Sequence, residues 1–289
     1  MVIINNNLAQ LIKDLRQSIG ISQRELAEGV CSQSEISQIE NGKIIPCIYT
    51  LMSISERLGV EPVYFIDRMN KDEYTLLINI KKEIRDCSHN KNYIKMSKLI
   101  KKYEGLACFR PLEEKQFIIW HKGIVEYYVN NDPILAQQYL NYALSLRHSF
   151  YKTSQDVNIL NSSAIMYAEV GDHHQAIGAF KEAISLYELS DTIADFKLHI
   201  KLLYNISKSY TKNGEWTIAE KYCDLGIKKC KKEYTFYLYG ELFYQKALIS
   251  KLKGDYKEAS KQFNKSLFIF TESKREDYIK ATLNQLEEM

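Results

Sequence analysis

The sequence predicts an all-α protein with a small N-terminal helical domain and a long array of helix pairs, and three observations carry that expectation. Ser22 to Gly42, SQRELAEGVCSQSEISQIENG, reads as two short helices joined by a tight turn. Ala136, Ala176, Ala219 and Ala259 recur at spacings of 40, 43 and 40 residues. From Asp72 onward the apolar pattern is helical throughout.

The elements follow in order. Leu8, Leu11, Ile12 and Leu15 lie at helical spacing and predict a first helix over 7–18, ended by Gly20. Ser22 is placed to cap the next helix, and Glu25, three residues on, completes a capping box. Leu26, Ala27 and Val30 give that helix an apolar face. Cys31 falls in the turn, and Ser32 caps a second short helix anchored by Ile36 and Ile39. Gln33, Ser34, Ser37 and Gln38 are left on its outer face and N-terminal end, where amides and hydroxyls can bond base edges and phosphates. A loop to Pro46 and a helix over about 49–58 follow, and Gly59 and Pro62 close the domain. Val63, Tyr64, Phe65, Ile66 and Met69 make the next segment an apolar helical connector rather than a flexible polar linker.

In the array, Gly171, Gly214 and Gly254 stand five residues before their alanines, and Asn131 holds that place in the earliest copy. Four residues after each alanine comes Leu140, Phe180, Cys223 or Phe263, and seven after it Ala143, Ala183, Gly226 or Ser266. A weaker copy with Asn92-Tyr93 at the turn and Met96 in place of alanine precedes them. Small residues at such a period let two helices cross closely. The expected domains are 1–62, a helical linker at 63–71, and 72–289 with five repeats and a final helix from about Arg275.

Several classes are set aside. No apolar run approaches the ~20 residues of a membrane helix. The N-terminus MVIINNNLAQ lacks a basic region and a cleavage pattern, so a cytoplasmic protein is expected. The six cysteines form no C-x-x-C pair and read as reduced thiols, with Cys223 and Cys230 sharing a helix face as core residues. No Walker loop, G-x-S-x-G or metal-ligand spacing occurs, and His173-His174 is a polar pair in a turn. An enzyme, a cofactor and a metal are therefore not expected. Residues 1–66 hold five Lys/Arg and seven Asp/Glu, a net of −2, so a basic footprint for DNA is missing. One copy would bind DNA modestly, and a dimer presenting two recognition helices would offset that.

The stretch from Gln23 through Leu26-Ala27 to Ile36, Ile39, Glu40 and Gly42 resembles the helix-turn-helix of the lambda-repressor-like superfamily. The resemblance implies DNA contacts from Gln23, Ser32, Gln33, Ser34, Ser37, Gln38 and Lys43, and a structural ion pair between Arg16 and Glu40. The array resembles tetratricopeptide repeats, implying a right-handed superhelix. Together, and closest in the strings SQSEISQIENG and YAEVG, the two halves resemble the RRNPP family (Rgg, Rap, NprR, PlcR, PrgX), with a size and connector most like the PlcR branch. That family likeness implies a quorum-sensing regulator of Gram-positive bacteria: a homodimer on a pseudo-palindromic double-stranded operator, gated by a short re-imported signalling peptide in the groove of its repeats.

Residue chemistry supports such a groove independently. An extended peptide brings unpaired backbone amides and carbonyls, and side-chain amides satisfy both kinds. Asn161, Asn205 and Gln245 lie nine or ten residues before their repeat glycines, all on first helices. By resemblance these amides grip the peptide backbone, and Lys91 in the first turn meets a peptide carboxylate. Tyr167, Tyr204 and Tyr244 are near enough to form walls. The alternatives are a repeat scaffold acting on a partner protein, and a DNA-binding regulator with no peptide gate.

Overall fold

The computed structural model describes residues 2–69, 71–146, 151–190 and 193–289, with backbone alone for 2–6, 67, 69 and 71–73. It forms two compact units, Met1–Glu83 and Ile84–Met289. No strand occurs among the described residues.

The first unit contains α1 (Val2–Ser18), α2 (Gln23–Ala27), α3 (Gln33–Glu40), α4 (Ile48–Leu58) and α5 (Val63–Met69). The capping box forms in full: Ser22 accepts from the Glu25 amide, and Glu25 accepts from the Ser22 amide at 2.6 Å. The helix so started is short. It ends at Ala27, and Val30 lies in the following turn, where Gly29 takes a left-handed φ of 72°. Ser32 then accepts from the Glu35 amide and starts α3. Leu8, Ile12, Leu26, Ile36, Ile39, Ile54 and Leu58 make one core. Phe65 of α5 is completely buried in that same core, while Val63 and Ile66 are exposed. Burying a phenylalanine contributes about 2 kcal/mol, enough to hold α5 to its own unit.

The second unit is built from helix pairs. They are α6 (Lys71–His89), which belongs to this unit from Ile84 on, with α7 (Tyr93–Tyr103), α8 (Leu112–Tyr128) with α9 (Pro133–Ser145), and α10 (Ser154–Glu169) with α11 (His173–Glu188). The chain continues with α12 (Phe196–Lys212) and α13 (Trp216–Lys232), then α14 (Tyr239–Leu252) and α15 (Tyr256–Glu272), and closes on α16 (Glu276–Glu287). From α7 onward each helix packs on the next, and α8, α10, α12 and α14 also touch in sequence, so first helices form one layer of a superhelix. The four period-setting alanines are all fully buried at the crossings. Gly226 is held by the same closeness, since a Cβ there would stand 2.8 Å from a Leu242 methyl.

One turn design serves every pair. A residue in the left-handed region is followed by one whose amide bonds a carbonyl near the end of the preceding helix. Gly171, Gly214 and Gly254 fill the position with φ near 80°, and Lys91, Asn131 and Lys274 fill it with φ near 55°. The next residue, Asn92, Asp132, Asp172 or Asp255, then caps the following helix through its side chain. A capping oxygen contributes about 1 kcal/mol, which offsets a strained φ at a lysine.

Candidate nucleic-acid interface and ligand groove

In the first unit the buried end of α3 is set by charge. Arg16 Nε donates to Glu40 Oε1 at 2.6 Å, Arg16 Nη2 to Glu40 Oε2 at 2.9 Å, and Nη1 to the Ile21 carbonyl at 2.8 Å. Burial pushes the Glu40 carboxyl up, yet bonds from Arg16 and Gln23 outweigh it and hold the group below the usual carboxylate range. Gln23 Nε2 supplies its bond to Glu40 Oε2 at 2.8 Å and accepts at Oε1 from Gln33 Nε2 at 2.9 Å. One chain of bonds thus runs from the ion pair to the first residue of α3.

On the solvent side, Ser32, Gln33, Ser34 and Gln38 are exposed and Ser37 is half-buried. Ser34 and Gln38 are only loosely joined, at 3.5 Å. Asn41 Nδ2 donates to the Ser37 carbonyl at 2.7 Å, and the Lys43 amide bonds the Gln38 carbonyl, placing exposed Lys43 just past the helix end. The arrangement leaves the outer amides and hydroxyls of α3 to solvent, while Gln23 has both ends of its amide engaged.

In the second unit Asn161 lies on α10, Asn205 on α12 and Gln245 on α14. Asn205 Nδ2 donates to Asn161 Oδ1 at 3.0 Å. A cavity of about 670 Å³ is lined by Asn161, and a smaller one of about 230 Å³ by Asn205, with Ile165 shared by both. The smaller cavity is walled by Ala168 and Phe180 and rimmed by Glu169, Lys208 and Lys212. Gln245 stands apart: it is buried, donates to Thr211 Oγ1 at 2.8 Å, and lines neither cavity. The structure therefore brings two of the three amides together.

The tyrosines pack. Tyr167 rests against the core around α10–α12, and Tyr204 against the next core segment, where burial raises its phenol. Tyr244 meets the Phe263 ring edge-on at 5.3 Å between centroids. Lys91 is exposed in its turn and lines neither cavity; desolvation lowers the Lys208 ammonium against the opposing charge of Glu169, and Lys212 and then Lys91 add to the lowering.

The larger cavity contains residues that spacing alone did not single out: Arg85, Trp120, His121, Asn158, Ser162 and Lys201. Trp120 Nε1 donates to Ser162 Oγ at 2.9 Å, and His121 Nδ1 contacts the Phe117 carbonyl at 2.8 Å. Asn158 and Lys201 lie three and four residues before Asn161 and Asn205, so the helical repeat placed them on the same faces. That register was the available signal.

An α3 whose polar face is open, joined in one chain to a superhelix with a cavity-bearing inner layer, defines a helix-turn-helix transcription regulator with a helical-repeat domain. The chain belongs to the RNPP family: the model of that family's C-terminal domain matches residues 81–288, and a helix-turn-helix model matches residues 12–65. Solved structures share the fold. Bacillus thuringiensis PlcR in complex with the peptide PapR7 and DNA superposes with a TM-score of 0.73 at 22% identity, covering 96% of this chain and 99% of that one. Its apo form gives 0.72 at 20% identity, with 96% and 98% covered. ComR from S. thermophilus, in complex with DNA and its signalling peptide ComS, gives 0.61 at 16% identity, with 97% and 99% covered. No curated protein matches the chain. Among the described residues no helix is long and apolar enough to cross a membrane.

Proposed function

We propose that the protein is a cytoplasmic, peptide-gated quorum-sensing regulator that binds a pseudo-palindromic operator as a homodimer. The observation that carries this reading is the Asn161–Asn205 pair between two cavities on the inner helices of an RNPP-family chain. Those amides offer donors and acceptors to a peptide backbone, and Gln245, Lys91, Tyr167, Tyr204 and Tyr244, which line neither cavity, are further contacts on this reading for a peptide that extends beyond them. In the other unit, Ser34, Ser37 and Gln38 read base edges, and Ser32, Gln33, Gln23 and Lys43 position the helix on phosphates. PlcR and ComR were solved with both a peptide and DNA, which supports the same pair of ligands here.

Gating works by population shift. The peptide binds one arrangement of the dimer better than another, and the 63–71 segment, between a 1–62 DNA domain and a 72–289 sensor, transmits the change. A tenfold shift needs about 1.4 kcal/mol, which a few amide hydrogen bonds supply.

Selection of genomic fragments by the purified protein, with and without the peptide fraction of spent medium from its host, tests this. Enrichment of a symmetric site in one condition only is the expected result. Equal enrichment in both would leave a regulator without a peptide gate, and no enrichment would favour a repeat scaffold acting on a protein.

A further inference from the structure

The larger cavity holds positive charge that the amide pair does not explain. Lys201, half-buried on α12, has a single hydrogen bond among the described residues, from Nζ to Asn158 Oδ1 at 3.0 Å. An ammonium carries three donors, so two remain for something else. No described carboxylate forms an ion pair with it. Asp195 lines the same cavity, but its Oδ1 is engaged by the Lys197 and Leu198 amides as the cap of α12. Desolvation lowers the Lys201 ammonium, and Asp195 only partly opposes this. Arg85, from α6 of the first repeat, lines the cavity too, with its guanidinium 5.3 Å from the centroid of the Phe117 ring and no carboxylate ion-pair partner among the described residues. A desolvated cation with one neutral acceptor is costly, and an incoming anion removes that cost.

We infer that this cavity is a carboxylate subsite, in which Lys201 and Arg85 hold an acidic group of the peptide ligand. The inference rests on the peptide reading above and adds the chemistry of one ligand residue. Asn158, already fixing Lys201, orients the ammonium, and the Trp120–Ser162 bond fixes the adjacent wall. Glu113 and Asp195 at the same cavity disfavour a doubly charged anion, so a singly charged carboxylate suits it better than a phosphate. The volume of about 670 Å³ accommodates a side chain with neighbouring backbone, far more than a free ion needs.

The probe is a random synthetic heptapeptide library, offered to the full chain in free-acid and C-terminally amidated forms, with retained peptides sequenced by mass spectrometry. If the group is a side chain, Asp and Glu are enriched about tenfold in both arms, the contribution of one charged hydrogen bond. If it is the terminal carboxylate, the free-acid arm is retained about tenfold better. Lys201→Met abolishes the preference while still retaining peptides, and Lys201→Arg preserves it, which separates lost charge from lost folding. A retained pool without preference for carboxylate, or an unchanged preference in Lys201→Met, overturns the subsite alone. Retention of no peptide by the folded wild-type chain overturns the peptide reading and the subsite together.

Discussion

Glu40 shows how one residue can tie stability to a recognition surface. Its carboxylate is 1% exposed and receives Arg16 and Gln23, and Gln23 in turn holds Gln33 at the start of α3. Removing one partner leaves the other charge buried, so Arg16→Met is expected to destabilise the first unit by about 3 kcal/mol, read as an earlier thermal unfolding of that unit. Because the folded Glu40 titrates below its ordinary 4.5, this stabilisation is complete above about pH 4.5 and is lost as pH falls through the lower folded value. The exposed residues of the same helix have different consequences. Gln38→Ala is expected to weaken operator binding about 10- to 100-fold with little change in stability, as measured by fluorescence anisotropy. Lys43→Ala is expected to weaken binding at all sequences and to reduce the salt slope by about one.

At the scale of elements, α12 carries the sensor's tension between packing and polarity. Its His199 stacks on Tyr187 of α11 at 4.6 Å, and neither ring nitrogen has a hydrogen-bond partner. Glu188 Oε1 stands 3.6 Å from Nε2, beyond hydrogen-bond reach. Burial, with the charge of Lys229, pulls the imidazole from 6.5 down to about 4. The unfolded chain therefore binds the proton first on acidification, and stability falls as pH drops from 6.5 toward 4. His199→Phe keeps the stack and removes the proton site. Its unfolding free energy from urea titration is expected to fall less than the wild type's between about pH 7 and about pH 4.5, by about 2 kcal/mol. The helix pairs themselves were legible in the sequence, because Ala136, Ala176, Ala219 and Ala259 mark crossings where a larger side chain has no room. The turns were half legible. Glycine announces a left-handed residue, whereas Lys91 and Lys274 take the same conformation without one, held by the Asn92 and Arg275 amides on the Cys87 and Phe270 carbonyls.

For the whole molecule, charge is distributed unevenly. The chain carries +3, and residues 1–66 carry −2, which leaves +5 for residues 67–289. That balance favours acidic ligands in the repeat unit, as the proposed carboxylate subsite requires, whereas the DNA-binding unit gains little from its own charge. The proposed dimer would offset this by presenting two copies of α3 at once. Light scattering on the eluted protein is expected to give twice the 33.7 kDa of one chain. A monomer at the concentrations that bind a two-fold operator would count against the dimer.

The sequence by itself determined the all-helical class, the helix-turn-helix and the register of the repeats, because these follow from local rules: caps, helical period and small residues at fixed intervals. It also placed Asn161, Asn205 and Gln245 on first helices. Only the tertiary structure decided that Asn161 and Asn205 bond each other while Gln245 turns to Thr211. It alone gathered Arg85 and Lys201, 116 positions apart, around one cavity. Period fixes the face a side chain occupies, but its depth and partners depend on how successive helix pairs stack, which no short stretch of sequence contains.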